Sequence, residues 1–124
     1  MLHAARTRYR VVLSVLSLLA VCSACTTQLS DTEAERIAAE ARSLLADHPS
    51  SGQLDSAKLP PSIAALRPKL VYVKPDGLYI QASTWFTREH GLYVPRDTNF
   101  SPSVGGDPHY ERIRAGLYRY RIAG

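Results

Sequence analysis

Three rhythms of apolar and polar residues succeed one another along this chain. An apolar run from Val11 to Val21 comes first. A charged segment follows in which Ile37, Ala41, Leu44 and Leu45 fall at offsets of four, seven and eight, the spacing of one narrow buried stripe on a helix. From Leu70 onward, short runs of branched and aromatic residues separated by glycine and proline read as strands.

The helical stripe sits inside a segment with a start and a stop. Ser30 and Glu33 have the spacing of a capping box, in which hydroxyl and carboxylate each satisfy a free backbone N–H. Pro49 limits the other end, so the pattern predicts a helix over Asp31 to Asp47. Glu33, Glu35, Arg36, Glu40 and Arg42 then form a solvated charged face, with recognition of a partner as the sharper alternative. His48 to Ser56 is a surface loop, and Pro60-Pro61 opens a helix of one or two turns that ends by Arg67, with Ile63 and Leu66 pointing inward.

Leu70 to Lys74 and Leu78 to Ala82 flank Pro75-Asp76-Gly77, which predicts a hairpin with a three-residue loop and a bulge, the glycine supplying positive φ. Pairing Lys74 with Leu78 puts Leu70, Tyr72, Ile80 and Ala82 on one face and Val71, Val73, Tyr79 and Gln81 on the other. Ser83 to His90 is expected to be a loop whose Trp85 and Phe86 fold back over the sheet or offer an aromatic platform. A third strand is expected at Leu92 to Val94 and a last one at Leu117 to Ile122, with a long mobile loop over Arg96 to His109 between them. Together these predict an α+β fold: an amphipathic helix and a short second helix packed on an antiparallel sheet of about four strands.

Charge and cysteine usage shift attention to the N-terminus. Of fifteen Lys and Arg, three (Arg6, Arg8 and Arg10) precede the apolar run; the other twelve face eleven Asp and Glu, a net of +1. A near-neutral remainder gives nucleic-acid binding no compositional support. Basic residues, a short apolar core and small residues, in that order, read as a secretion signal; an ordinary cleaved signal and an uncleaved span, which needs about 20 apolar residues where Ser23, Thr26, Thr27 and Gln28 break the run, are the weaker readings. Ser23-Ala24-Cys25 resembles the end of a bacterial lipobox, with Cys22 where that motif usually has leucine. Cys22 is the competing candidate, with Val21 as an unsuitable residue before the cut. The resemblance implies a signal peptide over 1–24, lipidation of Cys25, a tether over 25–30 and one small domain over 31–124. Three acyl chains on Cys25 would make membrane release negligible, since two already anchor stably. Thr26 after the cysteine implies the outer membrane, the domain facing the periplasm, over retention at the inner one. With both cysteines at the anchor, the domain has no disulfide.

Candidate chemistry is sparse. His48, His90 and His109 lie in no metal-ligand spacing, no G-x-S-x-G or phosphate-loop pattern occurs, and no cofactor or metal is implied. A cleft joining His90, His109 and a carboxylate is what would favour a hydrolase. Within the domain, Arg112, Arg114, Arg119 and Arg121 form the one local concentration of positive charge, either a solvated strand face that guards an edge or a site for lipid head groups or acidic polymer. The run from Leu59-Pro60-Pro61 through Pro75-Asp76-Gly77-Leu78-Tyr79-Ile80 and Gly91-Leu92-Tyr93 to Gly116 through Ile122 is similar to small uncharacterised bacterial proteins of the same arrangement, which implies a shared fold and no activity. The function expected is therefore non-enzymatic: an envelope lipoprotein that binds an envelope protein or anionic envelope polymer. Trp85, Phe86 and the four arginines are its candidate surface. The alternative is an inhibitor or immunity-type protein acting through a loop such as Asn99 to Asp107.

Overall fold

The computed structural model describes residues 29–85 and 88–124. The signal, Cys22, Cys25 and Phe86 therefore lie outside the described residues. Helix α1 spans Asp31–Asp47, as the capping signal predicts: the Ser30 hydroxyl accepts from the Glu33 N–H at 3.2 Å and the Glu33 carboxylate accepts from the Ser30 N–H at 3.0 Å. Its buried stripe is wider than four residues, adding Ala34 and Ala38 to Ile37, Ala41 and Leu45. Helix α2, Pro61–Ala65, starts at the second proline. Its N-terminus is held by the other helix, because both carboxylate oxygens of Glu40 accept from α2, from the Ser62 and Ile63 N–H groups at 3.1 Å each. Glu40 thus joins the helices instead of belonging to the solvated face, and its charge lies where the dipole of a first turn favours it.

Six antiparallel strands make one sheet: β1 (Gly52–Gln53), β2 (Leu70–Lys74), β3 (Gly77–Trp85), β4 (Arg88–Pro95), β5 (His109–Arg114) and β6 (Leu117–Ile122), in the order β1-β2-β3-β4-β6-β5. The α+β class stands, with six strands where about four are expected. The two additions are the edges. β6 is an inner strand, so its arginines guard no edge.

The register of the first hairpin differs from expectation by one residue. Lys74 pairs with Gly77 and Val73 with Leu78, so the loop is Pro75-Asp76 alone. Such a slip moves whole sets of side chains to the opposite face. Val71, Val73, Leu78 and Ile80 now share one face, packed with α1, α2, Val94 and Leu117 in a wholly aliphatic core, and Tyr72 and Tyr79 share the other. Gly77 has no positive φ; it is needed because a Cβ there would lie 2.4 Å from the Val94 carbonyl oxygen. The turn is held from outside by the Tyr93 hydroxyl and the Arg96 N–H, both donating to the Asp76 carbonyl at 2.9 Å.

Ser83 to Trp85 and Arg88 to His90 belong to strands, where a loop is expected. β3 runs on to Trp85, whose backbone pairs with Arg88, and a bulge between Gln81 and Ser83 lets the long hairpin continue. The segment between β4 and β5 is also less free than expected. Phe100 packs edge-on against Tyr93, Tyr110 and Tyr118 with ring centroids 5.1–5.4 Å apart. Tyr118 donates to its carbonyl.

Candidate anion-binding face

The four arginines of the C-terminal segment separate once strands alternate their faces. Arg119 and Arg121 share a face with Leu117, which is fully buried beneath the helices, but they extend beyond that cover and are exposed. Arg112 pairs with Tyr118 and belongs to the opposite face. A bulge between Arg112 and Arg114 returns Arg114 to the helix side, where it donates to the Asp31 carbonyl at 2.8 Å and pairs with Glu35 at 3.6 Å. Arg114 is thus committed to the start of α1. Trp85 ends β3; its side chain and Phe86 lie outside the described residues.

What the register does assemble is a row across three strands. His90 of β4 lies opposite Arg121 of β6, which lies opposite His109 of β5; the next row is Leu92, Arg119 and Glu111. His90, His109, Glu111, Arg119 and Arg121 line a shallow cavity of about 240 Å³. Arg119 and Arg121 make no hydrogen bond or ion pair with any described residue, so both guanidinium groups have donors to offer an oxyanion. This cavity also joins two histidines and a carboxylate, the arrangement tied above to hydrolysis. His90 Nε2 shares a hydrogen bond of 2.5 Å with the Ser83 hydroxyl, but among the described residues no carboxylate hydrogen-bonds either imidazole. A nucleophile and base without a third group to orient the base form an incomplete constellation. No three His, Cys, Asp or Glu residues among those described are placed to hold a metal ion.

The opposite face carries an assembly that reading along the chain missed. Tyr72, Tyr79, Tyr93 and Tyr118 are direct register neighbours on β2, β3, β4 and β6, forming one ladder, and Tyr110 and Tyr120 pair in the next row. Tyr72 and Tyr79 stack at 5.1 Å with rings 4° from parallel, and Lys74 Nζ lies over both. Two carboxylates collect the hydroxyls. Asp76 accepts from Tyr79 at 2.5 Å and Tyr93 at 3.3 Å; Glu89 accepts from Tyr72 at 2.7 Å and Tyr120 at 2.6 Å. Burial, then the neighbouring carboxylates, push Tyr72, Tyr79, Tyr93 and Tyr120 well above the usual phenol range, and burial likewise raises Tyr110. Phenols held neutral with their donors already used form a second core. The available signal was tyrosine at alternate positions in Tyr118 and Tyr120, read together with the one-residue shift of the first hairpin.

Comparison with protein-family models, with curated proteins and with solved structures finds no match to this chain.

Proposed function

We propose that the chain is a small lipoprotein of the bacterial envelope, anchored through Cys25 at the outer membrane and facing the periplasm, whose domain binds an anionic envelope component without catalysis. The supporting observation is the His90-Arg121-His109 row, with Arg119 beside it, on a part of the sheet that the helices leave open. Two guanidinium groups without a described partner outnumber the one carboxylate of this face, Glu111, and with two imidazoles suit repeated phosphate or carboxylate groups better than a single small substrate. Arg112, on the opposite face, and Arg114, held at the start of α1, are not part of this row.

Anionic vesicles and cell-wall material are expected to retain the purified chain in a salt-sensitive manner. The double variant Arg119→Ser, Arg121→Ser is expected to bind about 30-fold more weakly, from about 1 kcal/mol per basic residue at an anionic surface. Unchanged retention would reduce the row to a solvated face. The anchor is tested separately: Cys25→Ala is expected to move the chain from the membrane pellet to the soluble fraction, and a variant still wholly pelleted would remove the lipid from the proposal.

One observation favours the inhibitor or immunity-type alternative. In the loop after β4, Val104 is fully exposed at 104% while Phe100 pins the base, the form of a protruding tip on a fixed stem. Recovery of one stoichiometric protein, with no retention on anionic material, would favour it.

A further inference from the structure

A larger cleft, of about 600 Å³, lies away from the cationic row, between the C-terminal half of α1, the exit of β4 and the β5–β6 turn. Its apolar lining comes from Leu45, Pro95, Phe100 and Tyr118, and it carries two guanidinium groups. Arg96 is fixed: Nη1 donates to the Leu45 carbonyl at 3.1 Å and Nη2 to the His48 carbonyl at 3.4 Å. Arg42 is not fixed by any hydrogen bond or ion pair to a described residue. It lies against the turn because Gly116, at φ +80°, has no side chain; a Cβ there would stand 2.9 Å from Arg42 Nη2. The only acidic residue of the lining, Asp97, is engaged in its own turn, accepting from the Asn99 N–H at 2.9 Å. The cleft therefore combines apolar walls, an excess of positive charge and one guanidinium with all its donors available.

We propose that this cleft binds an amphipathic carboxylate, with the carboxylate on Arg42 and an aliphatic or aromatic body against Leu45, Pro95, Phe100 and Tyr118. A planar guanidinium matches a carboxylate in a bidentate geometry that an amine or alcohol cannot reproduce. The volume lies in the range of small-molecule sites, in which apolar walls supply affinity and a few polar groups fix orientation. This site is independent of the envelope-binding row, with which it shares no residue.

Titrating the purified full chain with phenylbutyrate, followed by amide NMR, tests it. Saturable shifts are expected at Ala46, Thr98 and Gly116, with phenylbutylamine leaving them in place. Arg42→Gln, at an exposed position where folding should be unaffected, is expected to weaken the titration at least tenfold, and Ala46→Glu, which adds a carboxylate at the rim, to abolish it. The Arg119→Ser, Arg121→Ser variant is expected to titrate like the parent, so failure of the anionic surface leaves this result readable. Equal shifts from the amine, no shifts from phenylbutyrate, or an unchanged Arg42→Gln titration would overturn the proposal.

Discussion

Raised past pH 10, the domain is expected to unfold in one step, between about pH 11 and pH 13. Tyr79, Tyr93 and Tyr120 are at most 2% exposed, and burial, reinforced by Asp76 or Glu89, holds each phenol above the usual value of 10.0. In the unfolded chain the same phenols ionise near 10. Because the folded values are the raised ones, the stabilisation is fully present below pH 10 and is lost as pH climbs above it toward the folded values. Three such groups remove about 4 kcal/mol per pH unit in that range, against a net stability of about 5–15 kcal/mol. Tyrosinate absorbance and far-ultraviolet circular dichroism should therefore change together. Ionisation near pH 10 with the dichroism intact would mean that the tyrosine ladder is open to water.

Gly91→Ala is expected to be the most damaging single methyl group in the fold. Gly91 lies on β4 beside the bulge of β3, and a Cβ there would stand 1.9 Å from the Ile80 carbonyl oxygen, 2.9 Å from its carbon and 3.0 Å from the Ala82 nitrogen. All three are backbone atoms of a central strand, which cannot turn aside as a flexible side chain would. Overpacking costs of about 1–3 kcal/mol apply where a core can adjust; here the cost should reach at least about 3 kcal/mol. The urea midpoint should fall steeply with the m-value unchanged, or the variant should fail to accumulate. Gly52→Ala is the control, since nothing lies within 4 Å of the added methyl, and it should stay within about 0.5 kcal/mol of the parent. A Gly91→Ala midpoint equal to that of the control would show that the two strands can separate there at little cost.

The parts of this fold that the sequence made legible are those decided by neighbours along the chain. Both ends of α1 follow from Ser30, Glu33 and Pro49, and α2 from its two prolines. The first hairpin departs from expectation by one residue because local rules place a Pro-Asp-Gly glycine inside the loop. The turn that forms is held by distant groups: the hydroxyl of Tyr93 and the amide of Arg96 converge on Asp76, which also accepts from the nearby Tyr79. Without that register the tyrosines fall on two faces, and no ladder can be seen. β5 was missed for a related reason. Half of its residues are charged, and only pairing with β6 makes His109–Arg114 a strand. The four arginines separate because closeness in sequence says nothing about faces, whereas His90 and His109, nineteen positions apart, meet through Arg121.

Arg96 belongs to several parts of the molecule at once. Its amide holds the β2–β3 turn through Asp76, and its guanidinium closes the last carbonyls of α1. The helix end and the hairpin tip therefore have one latch between them. Fraying at either should loosen the other, so that this corner opens as a unit instead of residue by residue.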